Sequence, residues 1–130
     1  MKRLPDFVGT WSLGEEDFFD IMGYGSFEMY IIEKRQIKEG AEFIKGIIKD
    51  YFGESTFEGE LNSNTIRFTK KYNPEAIING GHKDIIEYEA KEVDDKYLGE
   101  YTVINGTNGG IPQDWKHPFM MRKHFDPSMN

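Results

Sequence analysis

Phe7-Val8-Gly9-Thr10-Trp11-Ser12-Leu13 is the stretch on which the fold reading turns. A strand alternates its faces, so Gly9, Trp11 and Leu13 share one side. The glycine leaves room on that side and the tryptophan fills the neighbouring volume. This suits the closed end of a small β-barrel, where one large ring plugs the floor. Gly99-Glu100-Tyr101 repeats the spacing of Gly9-Thr10-Trp11, as sheet curvature requires in more than one place.

Outward from this segment the chain alternates again and again. Ser26 to Lys34 places Phe27, Met29 and Ile31 on one face. Ala41 to Asp50 follows the Glu39-Gly40 turn and groups Ile44, Gly46 and Ile48 with Glu42 and Asp50. That face is taken inward, because the opposite choice would bury Lys45 and Lys49. Ser55 to Asn62 carries the sharpest period of two, with Phe57, Gly59 and Leu61 set against Thr56, Glu58 and Glu60. Thr65 to Tyr72 turns Ile66 and Phe68 inward, and Lys70 and Tyr72 continue that parity. Lys83 to Glu92 offers Ile86, Tyr88 and Ala90; Lys96 to Ile104 offers Tyr97, Gly99, Tyr101 and Val103. Trp115 to Lys123 closes the series with Phe119 and Met121 inward, and Pro118 predicts an irregular start or a bulge.

Three longer connections interrupt the short turns. They are Gly14–Gly25, Asn73–His82 and Asn105–Asp114, read as loops from their glycine, proline and acid content. Eight strands at roughly ten-residue spacing make an antiparallel up-and-down meander. Closing it into a barrel removes the exposed edges. The fold class is therefore all-β, an eight-stranded antiparallel meander barrel, in a single domain over residues 1–130.

Composition narrows the function. The chain holds 130 residues, carries a formal charge of −7 and lacks cysteine. Folding buries about two-thirds of the surface of a chain this long, enough for a core without disulfide staples. Net acidity disfavours a polyanionic partner, so nucleic acid is not expected. No segment approaches the ~20 apolar residues of a membrane helix, and Met1–Asp6 has no apolar run behind it. The expectation is a soluble, cytoplasmic protein that engages no membrane.

The Gly9-Thr10-Trp11 opening, the eight-strand meander and Arg122 on the last strand together resemble the calycin superfamily: the lipocalins, fatty-acid-binding proteins and avidins. The resemblance implies a lipocalin-like barrel. It also implies that Trp11 plugs the closed end with Arg122 stacked upon it, a cation–π contact that contributes about 0.5–2 kcal/mol. It names no ligand.

An eight-stranded barrel encloses room for its own side chains or for one small ligand. The ligand-lining candidates are Phe27, Met29 and Ile31, then Ile44 and Phe57, then Phe68, and finally Tyr88, Tyr101, Phe119 and Met121. Lys70 and Tyr72 join the two interior tyrosines as polar anchors in an apolar wall. Small inward residues (Gly46, Gly59, Ala90, Gly99) either open a pocket or relieve strand bending. His117 and His124 stand seven apart and fall on opposite faces of a regular strand, so neither a metal site nor a cofactor is expected. The first functional reading is non-catalytic binding of a small, largely apolar molecule. A barrel enzyme of isomerase or decarboxylase type would need at least two titratable groups converging inside. A homodimeric interaction module with a filled core would present Tyr30, Ile32, Ile85 and Met120 as its outer patch; the chain is then a monomer or a homodimer.

Overall fold

A computed structural model describes residues 4–10, 26–104 and 116–123 of the protein. Eight strands follow in chain order: β1 (Phe7–Thr10), β2 (Ser26–Lys38), β3 (Ala41–Asp50), β4 (Gly53–Asn62), β5 (Thr65–Tyr72), β6 (Ile86–Val93), β7 (Lys96–Val103) and β8 (Lys116–Lys123). Each pairs antiparallel with the next, and β1 pairs with β8 as well as with β2, so the meander closes into a barrel. One short helix, α1 (Pro74–Ile78), lies between β5 and β6, in a segment whose composition reads as loop. Pro74 occupies its first turn and Gly80, at φ +111°, follows its end, the usual asymmetry of helix punctuation.

The alternation in the sequence becomes inside and outside. Phe27, Met29, Ile44, Ile48, Phe57, Ile66, Phe68, Tyr88, Phe119 and Met121 are all buried in one core. The outer wall carries Lys45, Glu58, Arg67, Glu87, Glu89 and Lys91, with Arg67 and Glu89 in register and 3.3 Å apart. No described helix is long and apolar enough to cross a membrane.

Closure depends on three inward glycines. A Cβ on Gly46, Gly59 or Gly99 would run into the backbone carbonyl of Tyr30, Arg67 or Glu89 on the adjacent strand, well inside van der Waals contact. The strands approach that closely because the sheet coils sharply there. These positions therefore serve bending and do not open space. At Gly9 the room left by the missing side chain is filled by Phe27 and Met121.

The two ends of the barrel differ. At one, tight turns join β2 to β3, β4 to β5 and β6 to β7. The last of these is a two-residue turn with Asp94 and Asp95 both at positive φ, the mirror-type geometry that matches strand twist. At the other end β3 turns into β4, and the three long connections (β1–β2, β5–β6, β7–β8) all depart. Residues 11–25 and 105–115 lie outside the described residues, so the Gly14–Gly25 and Asn105–Asp114 loops do too.

Several expectations are corrected. β8 keeps an unbroken register with β7 through Pro118, which faces Glu100. The register shifts fall instead on β2, at Ile31/Glu33 and Gln36/Lys38. Among the described residues β1 reaches as far as Thr10, opposite Met120. With the register unbroken, Met121 points in and Arg122 lies opposite Val8; the stacking of Arg122 on Trp11 falls outside the described residues, as Trp11 does. Of the outer apolar patch, Ile32 and Ile85 are exposed, but Tyr30 and Met120 are buried at 7% and 2%.

Replacing Gly59 by Ala should destabilise the protein by about 3 kcal/mol, since the obstacle is backbone and cannot rotate away. Ile32→Ala on the outer wall should change stability by less than ~0.5 kcal/mol. Urea unfolding of the two variants checks both.

Candidate functional site

The row of cross-strand partners Gly59, Phe68, Tyr88, Tyr101 and His117 runs across β4 to β8 in direct register. Neighbouring strands sit ~4.8 Å apart, so side chains in such a row stack. Phe68 and Tyr88 are nearly parallel at 4.7 Å, Tyr88 and Tyr101 follow at 5.4 Å, and Tyr101 and His117 at 5.2 Å. Phe57 packs edge-on against Phe68, and Phe119 against Tyr88. The mid-section of the barrel is thus occupied by these rings themselves. Tyr101 and His117, towards the long-connection end, are only half-buried.

Beside this ladder sits a buried polar cluster. Tyr72 donates from its hydroxyl to Asp50 Oδ2 at 2.6 Å. Lys70 Nζ donates to the Tyr72 oxygen at 3.0 Å and reaches Asp50 Oδ2 at 3.5 Å. The side chains of Lys70 and Asp50 are 1% and 0% exposed. The ammonium also lies 4.4 Å from the Tyr72 ring centroid and 5.3 Å from that of Tyr88. Alternation places Lys70 and Tyr72 together on β5. Asp50 ends β3, two strands away, and the intervening inward positions on β4 are Gly53 and Ser55, small enough to let the side chains meet across them.

Part of this arrangement has a structural purpose. Asp50 Oδ1 accepts from the Phe52 N–H at 2.9 Å, shaping the β3–β4 turn. Helix α1 seals the cluster from outside: Ala76 is buried against Gly53, and a Cβ on Gly81 would touch the Tyr72 ring. The turn does not need Lys70, however, and an ammonium in an apolar core is unfavourable unless paired.

Burial lowers the Lys70 pKa from 10.5 to about 8, with the charge and hydrogen bond of Asp50 opposing that fall. Burial, followed by the bond to Asp50, pushes the Tyr72 phenol far above its ordinary value of 10.0. Near neutral pH the cluster is an ammonium and a carboxylate bridged by a neutral phenol. It offers one polar, polarisable spot in an aromatic surround.

Of the residues singled out in the sequence, Lys70, Tyr72, Tyr88 and Tyr101 come together here with Phe68. Phe27, Met29, Ile44, Phe119 and Met121 belong to the packed core. Ile31 sits near the other mouth, in a cup of about 760 Å³ that Phe7 and Tyr97 also line. Sequence reasoning named Asp50 only as an inward-facing possibility and treated His117 only as a metal ligand. The inward parity of Asp50 was visible; its union with Lys70 required the register of β3, β4 and β5. Compared with known proteins, the chain matches no family model, and no curated protein and no solved structure is significantly similar to it.

Lys70→Met should destabilise the protein by about 3–5 kcal/mol because it strands the Asp50 carboxylate in the core, and adding Asp50→Asn should recover much of the loss. The pH response follows from the Lys70 shift. Its folded pKa of about 8 lies below the unfolded 10.5, so above pH 8 the unfolded chain holds a proton that the folded chain has released, and stability rises with pH. Tyr72 opposes this only above its unfolded value of 10.0. The wild type should therefore gain about 2 kcal/mol relative to the double variant between pH 8 and pH 10, measured by urea unfolding at each pH.

Proposed function

We propose that the protein is a calycin-like barrel that binds a small, largely apolar molecule without transforming it. The observation that carries this reading is the buried Asp50–Lys70–Tyr72 cluster beside a stack of aromatic rings. Ligand sites combine an apolar, aromatic lining with a few convergent polar groups. An ionised pair inside a small core is a poor way to gain stability, which favours a role in recognition. The closed meander supports the calycin comparison at the level of architecture.

The packed mid-section restricts where a ligand sits. It is held at the long-connection half of the barrel, flat against the half-buried rings of Tyr101 and His117, and its polar atom reaches the buried Tyr72 and Lys70 only when those side chains shift. A planar molecule with one hydrogen-bonding edge suits these walls better than a long acyl chain, which would have to displace Tyr88 and Phe119.

A second reading, an enzyme of isomerase or decarboxylase type, is favoured by one observation: three titratable groups converge inside. A base and an acid in contact are the raw material of proton transfer. Against it, none of the three is exposed enough to meet a substrate without moving.

Native mass spectrometry of freshly purified protein should reveal a co-purifying small molecule, and that compound should raise the melting temperature of the stripped protein. The Asp50→Asn/Lys70→Met variant should lose the effect. Recovery of the compound unchanged after long incubation supports binding; a new mass appearing at catalytic turnover supports the enzyme. Failure of every planar aromatic compound tested to stabilise the protein, together with a ligand-free mass, would overturn both.

A further inference from the structure

The mouth ringed by tight turns is a cup of about 760 Å³, within the size range of small-molecule sites. Its apolar floor is formed by Phe7, Ile31, Leu61 and Tyr97. Phe7 and Tyr97 are 3% and 5% exposed, and their rings meet edge to face at 5.8 Å with 74° between their planes. Set nearly at right angles, the two rings form an aromatic corner at the floor of the cup, with only a small part of either ring reaching its surface.

The charges around this corner are not equivalent. Asp6 Oδ2 accepts the Ile31 N–H at 2.7 Å, and Lys34 pairs with Glu42 at 3.8 Å. Lys123, exposed at the end of β8, also lines the cup. Glu92 faces Tyr97 directly across the β6–β7 ladder, and among the described residues it makes no ion pair. Both residues line the cup, and burial, followed by the Glu92 charge, raises the Tyr97 phenol above its usual value.

We propose that this cup is a second binding site, for an organic ammonium whose apolar tail rests on Leu61 and Ile31 while its cationic head lies between the Glu92 carboxylate and the Tyr97–Phe7 corner. Aromatic faces attract cations, quaternary ammonium included, and a carboxylate at the same point supplies the counter-charge. The site shares no residue with the Asp50–Lys70–Tyr72 cluster, and it stands whether or not that cluster binds anything.

Isothermal titration of the full chain with phenylpropylammonium and hexyltrimethylammonium, against phenylbutanoate and hexanol as matched anionic and neutral probes, tests it. The ammonium ions should bind at least about tenfold more tightly than either control. Glu92→Gln, on an exposed side chain, should leave the melting temperature unchanged and weaken ammonium binding about three- to tenfold. Tyr97→Leu should weaken it further, and Asp50→Asn/Lys70→Met should leave it intact. Equal binding of the anion, indifference to Glu92→Gln, loss of binding in the folded Asp50→Asn/Lys70→Met protein, or no ammonium binding at all would each overturn the assignment.

Discussion

The close approach of neighbouring strands at Gly46, Gly59 and Gly99 is the constraint on which the barrel rests. An eight-stranded sheet closes only if its strands coil strongly, and coiling forces the backbone of one strand towards the inner face of the next. At these three points the adjacent carbonyl occupies the space a side chain would need. Large residues can then gather opposite: Phe57 faces Gly46, Phe68 faces Gly59 and Phe119 faces Gly99 across the ladders. Glycine on one strand and an aromatic ring on the next let a narrow barrel both bend and fill.

A filled, bent barrel raises the question of why Lys70 is inside it. Hydrophobic packing alone would be served by Met or Leu at that position, in contact with Phe57 and Ile86 through the same ladders. Instead the chain retains an ammonium, supplies Asp50 from two strands away, and bridges them with Tyr72. Such networks are stable only when every member is satisfied. Here the Tyr72 hydroxyl both accepts and donates, and Asp50 divides its oxygens between the cluster and a turn. The arrangement is satisfied but not economical, which is the reason for reading it as a device for recognition.

The sequence made the fold legible because the barrel is built from period-two alternation and short turns, both local signals. Ser55 to Asn62 and Thr65 to Tyr72 declare their inner faces residue by residue, and the positions of Gly46, Gly59 and Gly99 were visible, with strand bending and pocket opening left as alternatives. What stayed hidden depends on distance across the sheet. That Asp50 meets Tyr72 follows from two ladders laid side by side, and no property of either residue announces it. Pro118 misled for a related reason: whether it disturbs the ladder depends on its partner Glu100 on β7, and the register there is regular. Helix α1 was missed because five residues are too few to show a helical period.

The ring-to-ring packing of Phe57, Phe68, Tyr88 and Phe119 has a last consequence for function. It divides the interior into two compartments whose chemistry is set by opposite ends of the same strands. β5 contributes Lys70 and Tyr72 near one end and Ile66 towards the other; β7 contributes Tyr101 near the first and Tyr97 near the second. Antiparallel order turns every second connection to the same end, so the three long connections leave the strands at the Lys70 end and tight turns join them at the Tyr97 end. The cup bounded by tight turns has little freedom to reshape, and any selectivity it has must come from the fixed rings of Phe7 and Tyr97 and the charge of Glu92.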